Sequence, residues 1–166
     1  MPYSQLGGDI VMGQRNVIAT IFEKDILAIY PVTSEDLFQI KKVVDFVANS
    51  TPDGVNYSSL STNLGITKYK AQQYVDYLNK AFILNVSNPY GTNVSKEPKI
   101  LLYLPNRLVY CPYGKVIGGL REDFATIIFR YLRLEYSYLK TTRGKKRQTF
   151  YFLLSKKKCI RNWREK

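Results

Sequence analysis

Gly65 separates two stretches of helical periodicity and constrains the fold of this chain more than any other residue. Apolar or small side chains recur on one side of both stretches, at Leu60, Ser61, Leu64, Ile66, Ala71, Tyr74, Val75 and Leu78. A glycine can adopt the positive φ that ends a helix, and small residues allow two helices to cross closely. Residues 57–82 are therefore predicted to form a helix-turn-helix, with Thr67 capping the second helix.

The second predicted helix carries polar side chains on its outward side. Together with the cap they are Thr67, Lys68, Tyr69, Lys70, Gln72 and Gln73. Lysines neutralise phosphates, and glutamine amides hydrogen bond to base edges when such a helix enters a major groove. We take these residues as candidate DNA-binding residues. The same motif also serves as a protein-docking module or a structural spacer, and the sequence leaves both alternatives open.

The positive charge of the chain is concentrated near its end. The formal net charge of +12 at pH 7 is typical of a protein with a polyanionic partner. Residues 143–166, however, hold ten Lys or Arg and one acid, which gives +9, whereas residues 1–142 hold 15 basic and 12 acidic residues, which gives +3. The net charge is therefore not independent support for DNA binding by the helix pair.

Several classes of protein are disfavoured by composition. The chain has two cysteines far apart, Cys111 and Cys159, and no histidine, so a structural zinc site lacks ligands. The longest apolar runs, residues 26–32 and 100–104, are too short to span a bilayer, and we see no signal-peptide pattern. A glycine string at residues 8–15 lacks the Lys and Ser or Thr of a phosphate loop. We expect a cytoplasmic protein with no membrane partner, metal or cofactor.

Periodicity and composition divide the chain into four segments. Residues 1–15 contain three glycines and are predicted to be an extended linker. Residues 16–105 are predicted to form a helical and winged-helix domain, and residues 106–154 an incomplete helix-strand-strand α/β unit. Residues 155–166 form a basic tail. The predicted fold class is therefore α+β, a winged helix-turn-helix followed by a truncated α/β appendage.

Two further helices precede the helix pair. The first starts at Asn16 and is stopped by Pro31, and the second is predicted to be capped by Ser34. After the pair, two strand-like runs at residues 83–86 and 99–104 are predicted to form a hairpin. Three helices followed by a hairpin make a winged helix.

The loop of that predicted hairpin is a second candidate DNA contact. The candidate wing is centred on Asn93, Lys96 and Lys99, whose side chains would reach the DNA backbone. Glu97 in the same segment weakens this expectation because it repels phosphate. The alternative is that the hairpin has only a structural role and closes the domain.

The appendage is predicted from the residues that follow. A loop around residues 111–114 leads into a helix from Gly118 to about Arg133, followed by strands at residues 136–140 and 149–154. A basic turn over residues 141–147 joins the two strands.

The order of three strings resembles a known family. YLNKAFIL (77–84), KEPKILLYLP (96–105) and GGLREDFA (118–125) resemble the carboxy-terminal region of archaeal AAA-type ATPases. That region is a domain of unknown function similar to a winged helix followed by a restriction-endonuclease-like fold. The resemblance covers roughly residues 14–145. It implies that the nucleotide site lies in an upstream ATPase core and not in these residues.

The endonuclease-like resemblance raises the question of catalysis. Metal-dependent phosphodiester cleavage needs clustered carboxylates. Glu122 matches the helical acidic position of such folds, but the strand at residues 149–154 and the residues after it supply no acid before Glu165. Glu122 is therefore predicted to be a surface or interface carboxylate, and no enzyme activity is expected. The abrupt change of composition after Lys146 leads to the hypothesis of a truncated or frame-shifted end.

Two functional interpretations follow from the sequence. The first is a non-catalytic module from the carboxy-terminal end of an archaeal AAA-type ATPase, whose winged helix binds DNA or a protein partner, including its own ATPase core. The alternative is a free-standing winged-helix transcription regulator that dimerises on a palindromic site.

Overall fold

The computed structural model describes residues 9–90, 97–103, 106–143 and 146–154. The helices are α1 (Asp9–Thr20), α2 (Ile26–Ile29), α3 (Ser34–Asn49), α4 (Tyr57–Leu64), α5 (Lys68–Lys80), α6 (Arg107–Tyr110) and α7 (Tyr113–Tyr131). The strands are β1 (Leu84–Ser87), β2 (Lys99–Leu102), β3 (Glu135–Arg143) and β4 (Lys146–Leu154). The predicted α+β class is confirmed. The boundaries of the four predicted segments stay predictions.

The amino-terminal part of the described chain is helical. Helix α1, which covers Asp9–Thr20, continues through a π-helical turn, Ile21–Asp25, into α2. The expectation of an extended linker is therefore wrong for residues 9–15, and residues 1–8 lie outside the described residues. Ile18, Phe22 and Ile26 are at most 4% exposed and join the main core. Burial of this apolar side stabilises the helix more than the glycines of the segment weaken it.

Helix α3 starts from a cap one residue earlier than expected. Thr33 Oγ1 accepts the backbone N–H of Asp36 at 3.1 Å, and Asp36 Oδ2 accepts the backbone N–H of Thr33 at 3.1 Å. The predicted cap, Ser34, is already the first helical residue. A reciprocal box needs an acceptor three residues after the cap, which Thr33 finds in Asp36 and Ser34 would not find in Leu37.

The helix pair α4 and α5 follows the predicted pattern. Gly65 ends α4 in the left-handed conformation, with φ 65° and ψ 28°. Thr67 Oγ1 accepts the N–H of Lys70 at 3.2 Å and so caps α5. Ala71 of α5 and Leu60 of α4 are fully buried. The predicted turn and cap are confirmed.

The strands form two antiparallel hairpins. In the first, Leu84 of β1 lies opposite Leu102 of β2 and Ser87 lies opposite Lys99. In the second, β3 pairs with β4 from Glu135 opposite Leu154 to Arg143 opposite Lys146. The strands therefore extend into residues 141–147, where a turn was expected, because the backbone pairing continues as far as Arg143 and Lys146.

Helix α7 begins earlier than the sequence indicated. The expected loop at residues 111–114 is wrong from Tyr113 onward, because α7 starts there. Pro112 stands at the cap position with φ −64°, and a proline is tolerated at a helix start because the first N–H groups have no partner within the helix.

A buried ion pair joins α3, β2, α6 and α7. Arg107 is 1% exposed and Asp123 is fully buried. Arg107 Nε donates to Asp123 Oδ2 at 2.5 Å, and Arg107 Nη1 donates to the carbonyl of Ala48 at 2.9 Å, at the end of α3. The backbone N–H of Leu102 donates to Asp123 Oδ1 at 3.2 Å. Burial raises the pKa of Asp123, and the Arg107 guanidinium opposes that rise.

Alanine substitutions at Gly65 and Gly118 should change stability in opposite directions. A Cβ at either position meets no atom within 4 Å, so steric contact does not enter. Gly65→Ala should lower the free energy of unfolding by about 1–2 kcal/mol, because alanine is strained at positive φ. Gly118→Ala, inside α7, should raise it by about 0.5–1 kcal/mol. Urea denaturation followed by circular dichroism measures both, and a loss at both positions would contradict the assigned backbone.

Arg107→Met should lower the free energy of unfolding by about 3–5 kcal/mol, because it leaves Asp123 buried without a counter-charge. The double variant Arg107→Met/Asp123→Leu removes both charges and should lose less than the single variant in urea denaturation. Lys80→Ala is the control: its ion pair with Asp76 is exposed and should matter by less than about 1 kcal/mol. A double variant less stable than the single one would show that the unpaired charge is not the cause.

Candidate nucleic-acid interface

The outward side of α5 is exposed to solvent over its first turns. Tyr69 is 74% exposed, and the side chains of Lys68 and Lys70 are 51% and 50% exposed. Gln72 is exposed as well. The opposite side carries Ala71, Tyr74, Val75 and Leu78, none more than 2% exposed. Because one side of α5 is anchored in the core, the polar side is presented outward on a rigid element.

Lys70 is already paired with a carboxylate of α3. Its Nζ lies 3.0 Å from Asp36 Oδ1, which also accepts a hydrogen bond from the Tyr74 hydroxyl at 2.5 Å. The hydrogen bonds from Tyr74, Thr33 and Lys70 hold the pKa of Asp36 well below its ordinary value. Burial, together with the hydrogen bond to Asp36, raises the pKa of Tyr74 to about 12. Asp36 therefore stays charged and offsets the charge of Lys70.

Lys68 is paired with the residue that precedes β2 by two positions. Its ammonium forms an ion pair with Glu97, which also accepts hydrogen bonds from the backbone N–H and the hydroxyl of Ser58. Burial raises the pKa of Glu97, but the hydrogen bonds from Lys68 and Ser58 outweigh it and the net shift is downward. Both candidate phosphate-binding lysines of α5 thus have a carboxylate partner within this chain.

The two glutamines of α5 differ in their surroundings. Gln73 is half-buried, and its Nε2 donates to the Tyr77 hydroxyl at 2.6 Å. Gln72 is exposed. Thr67 is exposed too, but its hydroxyl oxygen is used by the helix cap. Gln72 is therefore the candidate best placed to reach a base edge.

The expected DNA contact of Lys99 is wrong. Its side chain is 5% exposed, and its Nζ lies 2.9 Å from Asp53 Oδ1 and 2.5 Å from Glu122 Oε2. Lys99 instead joins β2 to α7 through Glu122, which was predicted to be a surface or interface carboxylate and is partly exposed. The other candidate wing residues, Asn93 and Lys96, lie outside the described residues.

Three residues that shape this surface were not found by sequence reasoning. Asp36 and Asp53 were not among the candidate residues that the sequence indicated. Glu97 was noted as weakening the wing, but its pairing with Lys68 was not foreseen. The partners are far apart in sequence, so no local spacing signals these contacts.

Within the described ranges, no group of three or more His, Cys, Asp or Glu side chains is placed to hold a metal ion. Among the same residues, no helix is long and apolar enough to cross a membrane.

The chain is an α+β protein, and its exposed polar surface lies on α5, the second helix of the α4–α5 pair. It belongs to the family described as Domain of unknown function (DUF8612), which matches residues 8–103, more than half of its length. No curated protein matches the chain.

Two solved structures were compared with the chain. RV1404 from Mycobacterium tuberculosis is 17% identical, with 80% of each chain covered and a TM-score of 0.35. A possible transcriptional regulator from Methanosarcina mazei Go1 is 19% identical, with 72% of this chain and 85% of that chain covered and a TM-score of 0.35. Both TM-scores are too low for either likeness to support a fold or a function here.

Asp36→Asn should make the free energy of unfolding depend less on pH below about pH 4. Because the folded pKa of Asp36 lies below its ordinary value of 3.8, the stability it contributes is present above about pH 4 and is lost as the pH falls toward the folded pKa. Urea denaturation should find Asp36→Asn less stable than the wild type by about 1–3 kcal/mol at pH 7. The difference should shrink between about pH 4 and about pH 2. Tyr74→Phe, which removes one donor, should show a smaller effect, and a difference that is constant with pH would contradict a charged Asp36.

Proposed function

We propose that α3, α4, α5 and the β1–β2 hairpin act as a winged helix that binds duplex DNA through the first turns of α5. The observation that carries this proposal is the exposed side of α5 with Lys68, Tyr69 and Gln72, on a helix whose other side is buried. Helices of this type enter the major groove with their amino-terminal residues. Lysines there contact phosphates, and an exposed glutamine amide matches the donor and acceptor pattern of adenine.

The ion pairs of Lys68 and Lys70 are compatible with this proposal. Both lysine side chains are about half exposed, and exposed ion pairs contribute only about 0–1 kcal/mol. A phosphate can therefore replace the carboxylate as partner at small cost. The remaining cost is the repulsion between phosphate and Asp36 or Glu97, so we expect weak binding that is sensitive to salt.

We further propose that the module binds without catalysis and belongs to the carboxy-terminal end of an archaeal AAA-type ATPase. Binding without catalysis is supported by the two carboxylates of α7, because Glu122 is paired with Lys99 and Asp123 with Arg107. The second part is supported by the resemblance of residues 14–145. An in-frame phosphate loop upstream of this coding sequence would support it, and an independent promoter would favour the free-standing regulator.

A protein partner is the second candidate for the same surface. The observation in its favour is the pairing of Lys68 with Glu97 and of Lys70 with Asp36, which leaves a polar surface of balanced charge around the exposed Tyr69. Exposed tyrosines of this kind are enriched in protein interfaces. The two candidates are separated by whether the wild-type protein binds duplex DNA.

Replacing Lys68 and Lys70 together by alanine should weaken binding to a random duplex of about 20 base pairs. Each phosphate contact contributes about 0.9 to the slope of log K against log salt, so the slope should fall by about 2. Fluorescence anisotropy over a series of salt concentrations measures both quantities. Lys80→Ala is the matched control, because Lys80 is also an exposed, ion-paired lysine of α5 but lies at its far end.

Two outcomes of this experiment, and one of a separate selection experiment, decide between the candidates. Equal losses in the double variant and in Lys80→Ala would show that binding does not depend on the first turns of α5. Absence of DNA binding by the wild type would reject the DNA proposal and leave the protein partner. A defined motif recovered by selection from random duplexes would favour the transcription regulator.

A further inference from the structure

A groove with a volume of about 620 Å³ lies between α1, the π-helical turn, α3 and α6. Its floor is apolar and includes Ile18, Phe22 and Val109. Ile18 and Phe22 are each 4% exposed, so they are held in place by the core beneath them. The groove is open to solvent on one side. An open groove of this kind suits a segment laid across it better than a small molecule, which is usually enclosed.

An aromatic side chain extends the apolar floor to the surface. Phe38 of α3 lines the groove and is 56% exposed. The Lys42 ammonium lies 4.3 Å from the centroid of the Phe38 ring, and the Lys41 ammonium lies 5.8 Å from that of Phe22. The two lysine side chains thus lie against the aromatic rings and keep their charges at the rim.

The rim of the groove is cationic. Arg15, Lys41 and Lys42 line it together with a single acid, Asp45. Arg15 Nη2 donates to the carbonyl of Val109 at 3.3 Å, which fixes the guanidinium at the edge. Within the part of the chain that the structure describes, no carboxylate forms an ion pair with these three cations. In this they differ from Lys68 and Lys70 of α5.

We propose that this groove binds an amphipathic helix of a partner protein, with its apolar side on Phe38 and the floor and with Asp or Glu residues facing Arg15, Lys41 and Lys42. The apolar floor provides the burial that drives such helix-in-groove recognition. The cationic rim selects an acidic flank by charge complementarity. Nucleic acid fits less well, since phosphates gain nothing from an apolar floor. The proposal does not depend on DNA binding by α5, which uses other residues.

Two synthetic peptides of about 18 residues test the proposal, a length at which helix formation becomes favourable. Both carry the same leucine stripe, and the residues flanking it are glutamates in one and lysines in the other. In isothermal titration calorimetry the glutamate peptide should bind at least about tenfold more tightly than the lysine peptide, with a negative heat-capacity change. No binding of the glutamate peptide, or equal binding of the two, overturns the proposal without any variant protein.

Variants then locate the binding. Phe38→Ser should weaken binding of the glutamate peptide by about tenfold or more, because it removes the exposed apolar contact. Lys41→Glu/Lys42→Glu should reverse the preference between the two peptides. The matched control is Lys24→Glu/Lys115→Glu, which changes the net charge equally at two exposed lysines that do not line the groove. A reversal in the control as well would mean that overall charge, not the groove, attracts the peptide.

The same variants separate this groove from the α5 surface. Lys68→Ala/Lys70→Ala should leave the affinity for the glutamate peptide unchanged. In the Lys41→Glu/Lys42→Glu variant, replacing Lys68 and Lys70 by alanine should still weaken binding to duplex DNA. Loss of duplex binding by the groove variant with no effect on the peptides would assign the groove to nucleic acid and overturn the proposal.

Discussion

The buried guanidinium of Arg107 is the constraint on which the arrangement of this chain depends. An arginine keeps its proton in proteins, so its charge can be buried only where an anion and carbonyl oxygens surround it. Asp123 of α7 supplies the anion, and the last turn of α3 supplies carbonyls. Gly119 allows this approach, because a Cβ there would lie 3.0 Å from Arg107 Cζ. The charge of Arg107 is therefore satisfied only where α7 and the last turn of α3 both lie beside it.

Beyond this ion pair, further polar contacts join the β1–β2 hairpin to α7 and β3. Lys99 of β2 reaches Glu122 of α7, and Asn85 of β1 accepts hydrogen bonds from Arg130 at 3.3 Å and the Tyr136 hydroxyl at 3.2 Å. Polar contacts of this kind have strict geometry, so they fix one orientation where apolar packing alone would tolerate several. They also withdraw Lys99 from the surface, where the sequence made it a candidate for DNA contact.

Local signals predicted the parts of this structure that depend on neighbouring residues. Gly65 and Thr67 were predicted correctly, because a helix stop and a helix cap are set by the backbone within a few residues. The fate of Lys99 could not be predicted in this way, since its partner Asp53 is 46 residues away in sequence. The helical conformation of residues 9–15 was missed for a related reason: the glycines in this region weaken a helix locally, but burial of Ile18 against distant residues stabilises it.

The two proposed surfaces differ in what a ligand must displace. At α5 a phosphate has to replace Asp36 and Glu97 beside the lysines, whereas at the groove the charges of Lys41 and Lys42 have no carboxylate partner among the described residues. Electrostatics therefore favours an acidic ligand more strongly at the groove. Helix α3 contributes to both surfaces, with Asp36 at one end and the two lysines a turn further on. Because Ile40, Val43 and Val44 of α3 are fully buried, the helix holds the two surfaces in a fixed relation, and binding at one need not reshape the other.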